Sequence, residues 1–459
     1  MRALVLSGGG ARGAYEAGVA SVLLEREQFD VVCGTSIGAI NAALAAQGGA
    51  PLLRELWGAV PARRLIRGIP PIEAWRAVFA GRLRTLAHAF AGLPELVLPA
   101  RLRKLRSVLD PEPIRAVLEE LLDPAQLQCS LVVTATNLTM HRSEAFYRFV
   151  GEDAAERAQA FAAAEPFSTE LEVENYRRAI LASASIPLAY PAVAMRLRGR
   201  DDVYVDGGVG NNTPLRQAID AGADDVTIVL ADNVGLRDTS LPLDDLAAIG
   251  LASQDLLQER VLELDLQLAR TINEAVLHGV APGKRFVRLR TIGPSVPVAL
   301  SMLSFADAKA VAAAFEQGYA DGNHAIGCIA LDALLANDPN GMTFEDGATI
   351  FSAEDAGDRL YVVVAGAVVL RDRRGERARL GPGDIFGATA FLGGTARRHD
   401  ALAVGHTRVV PVDRARFEYL VRFAPHFALD VMRSFSVHVR DLDKGTDGQP
   451  STMEGAAPQ

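Results

Sequence analysis

The sequence predicts a layered α/β domain over residues 1–330, a linker over 331–341 and a small β-roll over 342–443, with a polar, disordered tail at 444–459. Two observations carry this reading. Short apolar runs at 3–6, 31–33, 131–135, 203–205 and 226–230 are separated by stretches long enough for crossover helices, as in a sheet of parallel strands. Beyond residue 342 the pattern changes to short strands at 360–364 and 367–370, followed by the glycine turn Gly381-Pro382-Gly383-Asp384. The chain has 459 residues, of which 49% are hydrophobic, enough for two domains with a sizeable core.

Taken in order, the first strand runs into Gly8-Gly9-Gly10-Ala11-Arg12-Gly13, and the second into Gly34-Thr35-Ser36-Ile37-Gly38. G-x-S-x-G between a strand and a helix is a nucleophile elbow, in which Gly34 and Gly38 let a tight turn push a serine hydroxyl out of the sheet. Ser36 is the candidate nucleophile. A helix over 40–47, stopped by Gly48-Gly49 and Pro51, would aim its positive end at that oxygen. The glycine loop has two readings. It matches a dinucleotide fingerprint, but no acidic residue ends the second strand to hold a ribose, since Asp30 lies before it. Beside a nucleophile, the same amides form an oxyanion hole.

The eight histidines sit in poor contexts for a catalytic base; His141, for instance, reads as a surface loop residue. Asp206 ends the strand at 203–205 and opens Asp206-Gly207-Gly208, which alone reads as an ordinary Asp-Gly turn. Thr213-Pro214 reads as a helix cap, and a last helix over 306–319 closes the domain. The linker is read from Asn337-Asp338-Pro339-Asn340-Gly341.

The glycine loop, the elbow, the block Ala182-Ser183-Ala184-Ser185-Ile186-Pro187-Leu188-Ala189-Tyr190-Pro191 and Asp206-Gly207-Gly208 together resemble the patatin-like phospholipases in order and spacing. The resemblance covers about residues 1–330. It implies a Ser-Asp dyad without histidine: Ser36 as nucleophile, Asp206 as proton acceptor, and Gly8, Gly9 and Gly10 as oxyanion donors with Arg12 beside them. It further implies an acyl hydrolase of phospholipids or lysophospholipids that needs no cofactor. A hydrolase of small esters or thioesters, and a catalytically idle sensor, are the alternatives. Such a base must be buried, because a solvated aspartate has too low a pKa to take a hydroxyl proton.

Gly381-Pro382-Gly383-Asp384-Ile385-Phe386-Gly387 within the roll is similar to the cyclic-nucleotide-binding domain. That family holds the ribose with a glutamate after Phe-Gly, where this chain has Ala388. The phosphate arginine would be Arg397 or Arg398, with Asp400 close behind to repel an anion. Cyclic nucleotide binding is therefore not expected, and the domain is read as regulatory or scaffolding. No helix-turn-helix follows it in the sequence.

Residues 54–106 hold eleven basic side chains, from Arg54 and Arg67 to Arg106, against Glu55, Glu73 and Glu95, in a chain of net charge −9. Interleaved apolar residues there fit amphipathic helices on an anionic membrane, and fit equally a solvated arginine-rich face. Nucleic acid is not an expected partner. Three scattered cysteines, Cys33, Cys129 and Cys328, fit reduced thiols rather than a disulfide framework or a metal site. With no signal-peptide pattern and no membrane span, the expected location is the cytoplasm, with visits to the membrane surface.

Overall fold

A computed structural model describes residues 1–63, 67, 107, 109–187, 189–231 and 246–435. Most of the basic segment, Leu188, the end of the roll domain from 436 and the tail lie outside these residues. The described chain forms two compact units. Among the described residues, one comprises those of 1–231, 246–290 and 298–319; the other comprises 291–297 and 320–435.

In the first unit, strands β1 (Arg2–Leu6), β2 (Val31–Thr35), β3 (Ser130–Asn137), β4 (Arg142–Arg148), β5 (Thr169–Glu170), β6 (Val193–Leu197), β7 (Arg200–Val205), β8 (Asp225–Val229) and β9 (Arg288–Ile292) build one sheet. Its order is β5-β4-β3-β2-β1-β8-β9, with β7 pairing to β3 and β6 to β7. β1 runs parallel to β2 and β8, and β2 parallel to β3. Apart from Arg2 and Asp225 at the strand starts and Asn137 at the end of β3, these central strands are apolar or hydroxyl-bearing, and all but Arg2 and Asp225 are buried, as a sheet covered on both faces requires. The five expected strands are all present. β9 is tied to the sheet by Arg290, which donates to Glu27 at 2.7 Å and to Thr227 at 2.8 Å.

One local expectation holds and one shifts. The first helix after the elbow stops at Gly48-Gly49 as expected: Gly49 is non-helical (φ 65°, ψ −149°), and a second helical piece follows at once, so that helical residues run over Ile37–Arg63. Proline is tolerated there because Pro51 falls in the first turn of the second piece, where its missing N–H breaks no bond. The helix expected at 306–319 is observed over Ala308–Ala325. Thr213-Pro214 does precede a helix, Leu215–Asp220, although no side chain caps it.

The second unit carries an antiparallel roll of β10 (Met342–Phe344), β11 (Thr349–Phe351), β12 (Arg359–Asp372), β13 (Gly375–Leu380), β14 (Ile385–Phe386) and β15 (Asp400–Asp413). The segment 331–341 is not a solvated linker. Leu331, Leu334 and Leu335 are buried, and the carboxylate of Asp338, itself buried, pairs with the buried Arg416 guanidinium. Its turn residues are real, but the apolar spacing before them packs the segment into this unit.

Candidate active site

The site is assembled at the C-terminal end of β3, which is shared by two neighbours. β2 lies parallel to it, with Thr35 opposite Thr134, and β7 antiparallel, with Val205 opposite Thr136. Each neighbour then delivers the next residue, Ser36 from β2 and Asp206 from β7, to the same place. Ser36 Oγ donates to Asp206 Oδ2 at 2.6 Å.

Ser36 adopts a left-handed conformation, φ 57°, which is costly for a residue with a Cβ and characteristic of an elbow. The turn closes only because its flanks lack side chains. A Cβ at Gly38 would lie 2.4 Å from the Ser7 carbonyl oxygen, and one at Gly34 would lie 2.1 Å from that of Gly38. Helix Ile37–Arg63 starts immediately after Ser36, so its N-terminal dipole faces the hydroxyl.

Asp206 is buried and short of donors: Gly208 N–H donates to Oδ1 at 2.7 Å and Ser36 to Oδ2. Loss of water outweighs these two bonds and pushes the carboxyl up from 3.8 to about 7. That is the value a general base for neutral-pH work wants. Gly207 packs against β3, where a Cβ would meet the Thr134 carbonyl oxygen at 2.3 Å.

Of the three candidate donors in the glycine loop, two amides are left open and one is not. Gly8 N–H is spent on the Asn212 carbonyl at 3.1 Å, whereas among the described residues neither Gly9 nor Gly10 N–H meets a protein acceptor. The first glycine is therefore corrected from donor to anchor: its carbonyl also accepts from Asn212 Nδ2 at 3.3 Å. Arg12 donates through Nε to the Leu300 carbonyl at 3.0 Å, which fixes the far side of the loop.

Three supports carried no assigned role in the sequence reading. Ser183 Oγ accepts from Ser36 N–H at 2.9 Å and donates to the Thr134 carbonyl at 2.7 Å, stapling the elbow to β3. The Ser185 carbonyl accepts from Asp206 N–H at 2.8 Å. Asn212 holds the glycine loop. Their signal was the Ser-x-Ser block at 183–185 and the Asn-Asn pair after Asp-Gly-Gly. His141 stands at the exposed turn between β3 and β4, away from the dyad.

Ser36 and Gly10 open into an apolar pocket of about 550 Å³ of empty space, part of it open to solvent, walled by Trp57, Phe305, Ile114, Leu118, Ile186 and Tyr190. Trp57 stacks on Phe305, with ring centroids 6.3 Å apart, and its indole N–H donates to Asn41 at 2.9 Å. Of the basic segment, Arg54 pairs with Glu25 and Arg67 with Asp110, both at 2.5 Å, so these two cations are already engaged. Among the described residues no cluster of metal-ligating side chains occurs, and no helix is long and apolar enough to cross a membrane.

In the roll, Arg397 is the inward-facing arginine and Arg398 is exposed, which resolves the register. The Arg397 guanidinium donates to the Gly387 carbonyl at 2.8 Å and the Arg359 carbonyl at 2.5 Å, and lies 4.4 Å from the Phe351 ring. Phe351, Tyr361 and Phe386 form a mutual stack at 5.3 to 5.8 Å between centroids. Asp400 Oδ1 accepts from Ala353 N–H at 2.8 Å.

Residues 4–219 match the family model "Patatin-like phospholipase", and residues 342–422 match "Cyclic nucleotide-binding domain". A cAMP-dependent protein kinase regulatory subunit from Dictyostelium discoideum is 34% identical over 94 residues, 19% of this chain. The chain spans only 29% of that relative's length. Among solved structures, the Thermus thermophilus catabolite activator protein is 29% identical, over 23% of this chain and 53% of that one, with a TM-score of 0.22. A cyclic nucleotide-binding-like protein from Brucella abortus is 26% identical, over 18% and 73%, with a TM-score of 0.16. The chain thus carries a patatin-like phospholipase domain and a cyclic nucleotide-binding domain.

Proposed function

We propose that this chain is a serine acyl hydrolase of phospholipid or lysophospholipid carboxyl esters, acting through Ser36 and Asp206, with a roll that regulates or scaffolds the enzyme without reading a cyclic nucleotide. The observation that carries the proposal is the 2.6 Å bond from Ser36 Oγ to a buried carboxylate at the mouth of an apolar pocket.

In this reading the acyl chain lies along Trp57, Phe305 and Ile114, and the ester carbonyl sits over Ser36. Oγ attacks the carbonyl carbon while its proton passes to Asp206 Oδ2. The oxyanion is held by the Gly9 and Gly10 amides, each worth about two to three powers of ten in rate. Collapse breaks the bond to the alcohol, which takes the proton from Asp206. Water then attacks the acyl-enzyme, giving its proton to Asp206, and the fatty acid leaves as Ser36 is reprotonated. Burial raises the proton affinity of Asp206 above that of a solvated aspartate, which helps it take the Oγ proton as the new C–O bond forms.

For the roll, a nucleotide would have to draw Arg397 off two carbonyls and part the aromatic stack, with no glutamate at Ala388 to hold the ribose. The arginines of 54–106 other than Arg54 and Arg67 are the proposed contact with an anionic bilayer, reached from the cytoplasm.

The test is hydrolysis by the full chain of phospholipid and lysophospholipid in anionic and in neutral vesicles, against soluble short-chain esters and thioesters, with Ser36→Ala as control. The proposal expects faster cleavage in anionic vesicles, and loss of both turnover and labelling by a serine-reactive phosphonate in Ser36→Ala. Preference for short soluble esters would favour the small-ester hydrolase. No labelling of the parent chain would favour the idle sensor.

A further inference from the structure

Helix Leu246–Leu277 has two apolar faces, and the fold uses one of them. Leu262 and Leu266, four residues apart, are buried against its own unit, and Gln258 Nε2 donates to the Gly208 carbonyl at 2.9 Å. On another side Leu257, Val261, Leu264 and Leu268 are 67%, 44%, 64% and 59% exposed. Their spacings of four, three and four residues are those of a coiled-coil seam, with Leu257 and Leu264 at d and Val261 and Leu268 at a. Thr271 and Ala275 continue the seam with small side chains that admit a close neighbour.

What covers this face is argued from the charges beside it. The helix holds Asp255, Glu259, Glu263, Asp265 and Glu274 against Arg260 and Arg270, a net charge of −3, so an anionic bilayer would be repelled. A second copy fits. Arg260, exposed and paired with Glu263 of its own helix at 2.6 Å, falls at a g position and Asp265 at the e position five residues on, the pair that meets across a parallel two-stranded seam once Arg260 exchanges partners. By the two-fold it forms twice. An antiparallel pairing centred on Leu264 and Leu268 would instead bring Asp265 towards its own copy. The β-branched Val261 at a, with leucine at d, also selects two parallel strands. Because the helix is already packed in a folded unit, pairing does not have to order it first.

We propose that the chain forms a two-fold dimer by parallel, in-register pairing of the exposed face of helix Leu246–Leu277, with Arg260 of each copy against Asp265 of the other. The proposal is independent of the catalytic reading. Sedimentation equilibrium of the full chain should show a concentration-dependent dimer, and Leu264→Glu, at an exposed position, should be a monomer with an unchanged circular dichroism spectrum. Arg260→Asp should weaken association about tenfold, and adding Asp265→Arg should restore it. In a Cys328→Ser background, which removes the exposed cysteine, Leu264→Cys should cross-link to itself on mild oxidation, since only parallel register places residue 264 against its own copy. A parent chain that is monomeric throughout, a dimer that survives Leu264→Glu, or a dimer that Leu264→Cys fails to cross-link would each overturn the proposal.

Discussion

Replacing Asp206 by asparagine should disable the enzyme and stabilise the fold, and the second effect should depend on pH. Burial lifts the carboxyl from 3.8 to about 7. At about 1.4 kcal/mol per pKa unit, holding the ionised form in the folded state costs about 4 kcal/mol. The sign follows from linkage. A group whose folded pKa is raised binds its proton more tightly when folded. Its favourable contribution is therefore complete below about pH 4 and is lost as pH rises through about 7. Asparagine keeps the shape and the bonds, since its carbonyl oxygen can accept from Gly208 N–H and its amide can donate to Ser36 Oγ, but it never carries the charge. Asp206→Asn should thus match the parent near pH 4 and be more stable above pH 7, by about 1 to 4 kcal/mol. Thermal midpoints of the two proteins, measured between pH 4 and pH 8.5, give the comparison. Over the same range the parent's kcat/KM should climb and level off above about pH 7, as the base becomes ionised. The variant should lose about three to four powers of ten in turnover. A variant that is equally destabilised at every pH, or that turns over near the parent rate, would refute the buried-base argument.

The glycine loop and the roll make separate claims. Gly10→Ala places a methyl 2.2 Å from the Met302 carbonyl oxygen at φ +60°, so the loop must shift. Turnover and phosphonate labelling should fall together by about two to three powers of ten, and normal labelling by a folded variant would remove Gly10 from the oxyanion hole. Calorimetry of the full chain with cyclic AMP and cyclic GMP should show dissociation constants no tighter than about 10 to 150 micromolar, because one missing charge-assisted bond costs about 1.5 to 3 kcal/mol, a factor of about 10 to 150 on a micromolar site. Low-micromolar binding would show that the pocket opens despite Arg397.

The two residues that meet as Ser36 and Asp206 were legible because their signals are local. A serine between two glycines after an apolar strand, and an aspartate before two glycines after another, each declare a turn whose geometry few other residues tolerate. What the chain does not announce locally is which turns meet. Ser36 and Asp206 are 170 residues apart, and their encounter is fixed by β3, whose sequence is an ordinary buried strand that happens to border both neighbours. The pocket wall was illegible for the same reason, since Trp57 and Phe305 are joined only by the fold. The linker failed differently: Leu331, Leu334 and Leu335 carry helical spacing, and the turn residues after them outweighed it in the reading although both signals were true.

In the proposed reading the roll keeps its fold while its pocket changes use. Among the described residues Arg397 Nη1 and Nη2 each donate to a carbonyl of the strand and turn around it, while its buried Nε meets no acceptor. Its flat face rests on Phe351, whose ring stacks with Tyr361 and Phe386, so the guanidinium completes an apolar core. Asp400, which would oppose an incoming anion, is likewise drawn to a backbone amide beside that core. Arg397 and Asp400 are thus both held by internal bonds. In the proposed reading a nucleotide would have to displace these internal bonds to bind, and the roll acts instead through packing and assembly.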